Sequence, residues 1–478
     1  MDNVTLPAKR ENDEDRIILV AIFVISSIIA FLQILFLRGA ALPGHDEGVY
    51  VEAGRMMWEG LMPYRDFSYM HGPVFPLILG TGFQLTHSMF LLRFIFVLLT
   101  CFSAIPLYQV IQRITKDRLA AMFSVIFFLT YYEVMRYGTR FIAERPFLTV
   151  LIIIYLYFGI VRPKGWFAYA CQLSSAILVF FSHYQSAILL LLFSIAIIST
   201  ERAPRAIYRY FSMGAIVSII FIAFITLFPN SFQSTILDHF QKIQVLPLTR
   251  TQRLIPLISG YDAVFYFLSV SSLILTVATQ RKWRIWALAM LTIIFSTLLP
   301  REYYVHYHTF AALAYTMGCA FFILLLREAK KIWMMFPAVE ILAFSVLTMR
   351  LTIVLPPLVN DWLWLRLDPT YYQIVNVLKT LPEPILTFKE PIYAIDSNKK
   401  IVQYYWRATA RSYPRPPEKE LDMLAQQACT IFLPKPDQQY LPKSLLEKWA
   451  NNHLEIKRFQ NVRIFLSTDS RCLQKGVN

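Results

Sequence analysis

Long apolar runs separated by short polar turns dominate the first 356 residues. They fall at about 17–37, 90–112, 119–135, 146–161, 166–182, 184–199, 211–228, 262–279, 285–299, 309–326 and 332–356. A helix that crosses a bilayer needs about 20 mostly apolar residues, so the pattern predicts eleven spans. The turn at Ser182-His183-Tyr184-Gln185 is very short for two neighbouring spans. Pro73 to Thr86 is apolar as well, but about 14 residues do not reach across, and this stretch is predicted to be re-entrant or interfacial. The first run is too long for a signal-peptide core and has no small-residue cleavage site before Arg38, so it reads as a span.

The last 120 or so residues change period. Pro391–Ile395, Thr430–Leu433, His453–Ile456 and Val462–Leu466 are short β-type runs, and Glu418–Gln427 and Ser444–Asn451 are helix-like. Runs of both types in alternation predict a small α/β domain. The expected layout is a membrane module over 1–356 and this domain over 357–478.

Composition agrees. Of 478 residues, 56% are hydrophobic and 16% charged, whereas soluble chains carry roughly a quarter charged residues. That deficit excludes a water-soluble fold of this size, as well as disorder, collagen repeats and coiled coil. The net charge of +15 would suggest nucleic acid in a soluble protein. In a polytopic one it is the ordinary enrichment of basic residues in cytoplasmic loops, and no nucleic-acid partner is expected.

The same rule orients the chain. Arg113, Lys116, Arg118, Arg162, Lys164, Arg202, Arg205, Arg209, Arg281, Lys282, Arg284, Arg327, Lys330 and Lys331 crowd into roughly 30 loop positions, which are assigned to the cytoplasm. The C-terminal domain and loops 38–89, 136–145, 229–261 and 300–308 then lie outside. Cys429 and Cys472 could pair if their domain meets an oxidising compartment; Cys101, Cys171 and Cys319 sit in apolar runs.

Every unusual polar cluster falls in an outer loop. The first reads LPGHDEGVYVEAGRMMWEGLMPYRDFSYMHGPVFPLI. Asp46-Glu47 opens a helix ending near Gly60. Val49, Ala53, Met56 and Met57 share one face, which predicts a helix lying flat on the membrane. Acidic residues at a helix start are favoured by the dipole. Functionally, a carboxylate at the mouth of the bundle can take a proton from an incoming hydroxyl or amine, and apolar surroundings raise its proton affinity toward that of a useful base. Glu47 points about 100° away from Asp46, so the two need not share one task.

Two further clusters follow. RYGTRFIAERPF holds Arg136, Arg140, Glu144 and Arg145; an Arg140–Glu144 pair is the structural alternative to an arginine clamp on phosphate. PREYYVHYHTF holds Arg301, His306, Tyr307 and His308. His306 and His308 share a face only on a strand, and a divalent metal stays open without being assigned. Loop 229–261, with Asp238, His239, Lys242, Arg250 and Arg253, suits a lid or anionic headgroups.

The blocks DEGVY, WEGLMPYRDF and HGPVFPLI, together with R…HY at 301–307, resemble the GT-C superfamily of polytopic glycosyltransferases that use polyprenyl-phosphate sugars, including its protein O-mannosyltransferase and aminoarabinose-transferase branches. The resemblance implies a GT-C-type fold of about eleven transmembrane helices. It implies sugar transfer from a polyprenyl-phosphate donor to a lipid, glycan or protein on the extracytoplasmic face. Asp46, with Glu47 beside it, matches the family's acidic position. His71 stands where many relatives carry a basic residue, and unlike a lysine it can be neutral at pH 7. Arg140, Arg301, His306 and Tyr307 complete the expected donor-phosphate group. No P-loop or Rossmann fingerprint occurs, which suits a donor without a nucleotide. The competing classes are a lipid-linked-sugar transporter or flippase, which predicts charge at mid-span, and a non-catalytic scaffold of the same fold. The compact loops point to a bacterial plasma membrane.

Overall fold

The computed structural model describes residues 6–37, 45–67, 69, 71–131, 134, 146–184, 186–201, 204–232, 262–297, 311–333, 369–387, 392–397, 399–402, 418–434, 441–459, 462–469 and 472. The chain divides into two compact units. One comprises Met1–Leu37, Arg93–Ile222 and Pro247–Trp362; the other comprises Arg38–Leu92, Ala223–Leu246 and Leu363–Asn478.

The first unit is helical. It contains α1 (Leu6–Leu37), most of α4 (Met89–Phe102), α5 (Ala104–Thr115), α6 (Arg118–Thr130), α7 (Pro146–Leu156), α8 (Trp166–Ser182), α9 (Ser186–Glu201), most of α10 (Pro204–Leu227), α12 (Ala263–Thr279), α13 (Arg284–Ser296) and α14 (Ala312–Trp333). Helices thus occupy ten of the eleven predicted spans; the eleventh, 332–356, lies almost wholly outside the described residues. Among the described residues, Asp15–Ile34, Met89–Thr115 and Pro204–Leu227 are long and apolar enough to cross a membrane by length and composition.

Local chemistry sets where these helices start and bend. Asp117 caps α6, its carboxylate accepting from the Ala120 N–H at 2.9 Å. Pro146 and Pro204 stand at first helical positions, where a missing N–H costs nothing. The predicted span 90–112 is two helices with a turn at Ser103. Pro106 has no N–H to give the Phe102 carbonyl, which loosens the ladder there. Span four ends in a π-turn, Tyr157–Val161, whose neighbourhood Arg209 ties down by donating to the Phe158 and Pro163 carbonyls.

Small residues let helices approach. A Cβ on Gly318 of α14 would lie 2.6 Å from the Cβ of Ser269 on α12, and the Ser269 hydroxyl donates to the Tyr315 carbonyl at 2.9 Å. Such contacts replace the hydrophobic drive that lipid cannot supply. At the basic ends, Asp15 meets Arg118 at 2.6 Å and Arg327 pairs with Asp117. The acidic N-terminal segment therefore contributes a partner to the basic loops.

The second unit is mixed. It holds α2 (His45–Trp58), α3 (Val74–Thr86), α11 (Pro229–Phe232), α15 (Pro369–Thr380), α16 (Ile392–Asp396), α17 (Glu418–Gln427) and α18 (Lys443–Asn452). Its sheet has strands β1 (Ile385–Leu386), β2 (Thr430–Pro434), β3 (His453–Phe459) and β4 (Val462–Ser467) in the order β1-β2-β4-β3. β1 and β2 are parallel, with Ile385 opposite Thr430; β2 and β4 are antiparallel, with Ile431 opposite Phe465. β2 is buried along its whole length, and Leu421, Leu424, Trp449 and Phe465 pack around it. A disulfide joins Cys429 to Cys472 across 43 residues.

Two sequence expectations are corrected here. The run at 391–395 is a helix over Ile392–Asp396, not a strand. Periodicity does not separate a strand from a helical turn in five apolar residues. Tyr393 stacks on Tyr371 (4.7 Å) and Phe432 (5.0 Å) instead of joining the sheet, and Ile385–Leu386 takes the place beside β2. The second correction concerns α2, which has no solvent face over its first half: Glu47 to Gly54 are all buried. Over this stretch the helix is enclosed and not amphipathic.

Candidate active site around the start of α2

α2 and α3 form one packed hairpin. At their crossing Gly54 meets Pro76 and Gly80, with no room for a side chain on either glycine. α3 has 13 residues, or about 20 Å at 1.5 Å per residue, short of the roughly 30 Å hydrocarbon layer.

Asp46 and Glu47 are the second and third residues of α2, in its first turn. Glu47 is 0% exposed. The side chain of Asp46 lies outside what the structure describes.

His71 comes to the same hairpin. Its ring sits edge-on to Tyr50 (5.5 Å) and to Tyr69 (6.0 Å). Tyr50 is three and four residues after Glu47 and Asp46, hence one turn along the same side of α2. The structure therefore brings His71 against the helix that opens with the two carboxylates. Tyr64 donates its hydroxyl proton to the His71 carbonyl. Tyr64 itself adopts φ 69° at the turn after Pro63. Its N–H bonds the Phe67 carbonyl at 2.9 Å, and Asp66 closes the turn by accepting from the Met62 N–H at 2.7 Å. The hydrogen bond from Arg65, then that from Met62, hold the Asp66 carboxyl below its usual range.

The other expected donor-phosphate residues, Arg140, Arg301, His306 and Tyr307, lie outside the described residues, as do Arg136 and His308. No group of three or more metal-ligating side chains is found among the described residues.

Two features escaped the sequence reading. Arg55 chelates Glu52 through Nε (2.9 Å) and Nη2 (2.6 Å) and reaches Glu59 through Nη1 (2.6 Å). Glu52 is 1% exposed. Burial works against charge on Arg55, but the hydrogen bond and charge of Glu52, then the charges of Glu59 and Glu383, outweigh it and raise its proton affinity. The i, i+3 and i, i+4 spacing of these residues was legible as a helical ion-pair pattern. The second is Arg93, 5% exposed and the fifth residue of α4. A lone arginine in an apolar run is the sequence signal that marks such a site.

Comparison with solved structures gives the frame. Over 94% of its length the chain matches 98% of ArnT from Cupriavidus metallidurans bound to undecaprenyl phosphate, at a TM-score of 0.60 and 14% identity. The apo state of the same enzyme matches at 0.58 and 13%, covering 93% of this chain and 97% of that one. The chain has the GT-C fold. The oligosaccharyltransferase of Archaeoglobus fulgidus, in complex with zinc and sulfate, gives 0.48 and 11% over 85% of this chain and 68% of that one. No family model matches the sequence, and no curated protein does either. The described part of the candidate site runs from the start of α2 through His71 to α3.

Proposed function

We propose that this protein is an integral-membrane glycosyltransferase that moves a sugar from a polyprenyl-phosphate donor to an acceptor on the extracytoplasmic face. The observation that carries the reading is the near full-length match to a chain that holds undecaprenyl phosphate. The start of α2 supplies the chemistry. Asp46 takes the proton from the acceptor hydroxyl or amine. The acceptor's freed electron pair attacks the anomeric carbon, and the bond from that carbon to the phosphate oxygen breaks. Polyprenyl phosphate departs with that pair, and positive groups offset the charge it gains. His71, Arg140, Arg301, His306 and Tyr307 are assigned to that phosphate. Glu47 is the enclosed neighbour of the base.

The topology proposed is eleven spans, with residues 357–478 outside in a bacterial inner membrane. α2 packs against α16, so the first loop and the C-terminal domain share one side of the membrane. Ten crossings between them, an even number, satisfy that requirement. Arg93, little more than one turn from the end of its helix, places an ionisable group near a membrane face; a transporter calls for such groups at mid-span.

The test is transfer of radiolabelled sugar from polyprenyl-phosphate donors to an envelope acceptor fraction by purified protein in lipid. Wild type is expected to transfer. Asp46→Asn is expected to lose about 10²–10⁴-fold in kcat, the range of a general base, while staying folded. Equal transfer by both would remove Asp46 from the mechanism, and no transfer from any donor would remove the enzyme reading.

A further inference from the structure

We propose that the first turns of α8 and α10, with the loop before α8, form a docking surface for an anionic phospholipid. Arg162, Lys164 and Arg205 meet the headgroup phosphate, and Trp166 and Tyr208 seat the lipid below it. The inference goes beyond sugar transfer and does not depend on it.

Arg162-Pro163-Lys164-Gly165 joins the π-turn to α8, and Pro204-Arg205 opens α10. Hydrogen bonds bring these two stretches together. Arg209, one turn after Arg205, donates to the Pro163 carbonyl, to the Phe158 carbonyl at 3.3 Å and to Gln172 Oε1 at 2.8 Å. Gln172 in turn donates to the Tyr210 hydroxyl at 3.0 Å, and the hydroxyls of Tyr169 and Ser212 lie 3.0 Å apart. α8 and α10 are thus fastened side by side near their starts. Gly159 in the π-turn makes room for this network: a Cβ there would lie 2.5 Å from Gln172 Nε2 and 2.7 Å from the Tyr210 hydroxyl. Arg162 and Lys164 flank the carbonyl that Arg209 holds. Arg205 stands one turn before Arg209 on the same side of its helix. Three cations therefore gather around one tethered loop.

These cations are available to a ligand. Arg162, Lys164 and Arg205 are exposed, and among the described residues their side chains have no hydrogen-bond or ion-pair partner. In the other basic loops, Arg118 pairs with Asp15, Arg327 pairs with Asp117, and Arg284 donates to the Val277 carbonyl at 2.8 Å. Glu201, the carboxylate nearest in sequence, leaves the surface with an excess of positive charge. Beside the cations stand two rings, Trp166 at 81% and Tyr208 at 75% exposure. Indole and phenol have an apolar body and a polar edge, which suits the headgroup level of a bilayer. Basic surfaces between helices on the cytoplasmic side, where the basic loops place this end of α8 and α10, bind anionic headgroups. Charge selects the anionic lipid. The rings select a lipid over a soluble anion, which would leave them in water.

The experiment uses the full-length protein purified in neutral detergent. Phosphatidylglycerol, phosphatidylcholine or free glycerol phosphate is added, and retained lipid is counted by native mass spectrometry. Wild type is expected to hold phosphatidylglycerol in preference to phosphatidylcholine, and glycerol phosphate is expected not to displace it. Each basic residue near an anionic surface counts for about fivefold in affinity, so Arg162→Gln, Lys164→Gln and Arg205→Gln together should weaken retention about a hundredfold. If the triple variant melts below wild type in phosphatidylcholine, the single substitutions are used, each with about fivefold loss. A control with Lys379→Gln, Lys400→Gln and Lys443→Gln removes the same charge from exposed positions of the C-terminal domain and should bind as wild type does. Equal retention of both lipids, wild-type retention in the folded patch variants, or an equal loss in the control would overturn the proposal. Displacement by glycerol phosphate would overturn it as well, by making the ligand a soluble phosphate.

Discussion

Gly54 and Gly80 touch backbone to backbone where α2 crosses α3. A Cβ on Gly54 would lie 2.0 Å from the Pro76 carbonyl oxygen and 2.6 Å from the Gly80 nitrogen; one on Gly80 would lie 2.2 Å from the Gly54 carbonyl carbon. Both glycines are helical, so alanine would gain about 0.8–1 kcal/mol in helix propensity. The lost space outweighs that gain, because backbone has to move, and overpacking of this kind costs about 1–3 kcal/mol or more. Gly54→Ala and Gly80→Ala are therefore expected to lower the thermal midpoint of the purified protein, with activity falling further than stability because α2 is displaced. An unchanged midpoint in either variant would mean that the helices cross elsewhere.

Tyr64 links the turn to His71. Its left-handed φ of 69° costs a residue with a Cβ about 1–2 kcal/mol. The ring offsets this: it is 6% exposed, edge-on to Phe224 at 5.9 Å, and burying an aromatic ring contributes about 1.5–3 kcal/mol. Tyr64→Gly is thus expected to destabilise despite relieving strain. Tyr64→Phe keeps the ring and removes the bond to the His71 carbonyl, about 1 kcal/mol. Its expected effect is a donor KM several-fold higher at nearly constant melting temperature. A phenylalanine variant with wild-type KM would separate the placement of His71 from donor binding.

Most of the helical layout was legible because membrane spans carry a long, nearly uncharged signal. Ten predicted spans fall on helices, though some ends differ by a turn or more, as at Pro204, where a proline starts α10 earlier than the apolar run at 211. The acidic helix start at Asp46-Glu47 was legible too, and so were β2, β3, β4, α17 and α18. What failed was whatever depends on tertiary partners. The amphipathic reading of α2 rested on Val49, Ala53, Met56 and Met57 sharing one face, whereas Glu52, paired with Arg55, is buried as well. Ile392–Asp396 was ambiguous because five residues do not define a period. The two-residue strand β1 carries too little pattern to be seen, and α15 was not read from the sequence either.

Acid should weaken the C-terminal domain in two stages. His453, 9% exposed, has its proton affinity lowered first by burial. The unfolded chain therefore binds a proton that the folded domain resists, and stability present above about pH 6.5 is lost as pH falls below it. Glu455 is held down to about 2, chiefly by the hydrogen bond from Arg458, helped by Arg463. Its contribution is present above about pH 4.5 and is lost as pH falls toward 2. Melting of wild type, His453→Gln and Glu455→Gln at about pH 7.5, 5.5 and 3 tests both signs. The histidine variant should lose less between the first two values and the glutamate variant less between the last two. Parallel curves for all three would refute the assignments.

The Cys429–Cys472 disulfide bears on stability and sidedness together. It closes a separation of 43 residues, for which the chain-entropy treatment gives about 4 kcal/mol at most. Cys472→Ser should lower the melting temperature of the domain, and reducing agent should do the same to wild type but not to the variant. Because such bonds persist in oxidising compartments, the domain is expected outside, as the basic loops predict. In Cys429→Ser the thiol of Cys472 is freed, while Cys101, Cys171 and Cys319 belong to α4, α8 and α14. A membrane-impermeant maleimide should then label Cys429→Ser in intact spheroplasts and leave wild type unlabelled until it is reduced. Labelling only after permeabilisation would put the domain in the cytoplasm. Because α2 packs against α16, it would carry the first loop and Asp46 there as well, reversing the proposed face of the reaction.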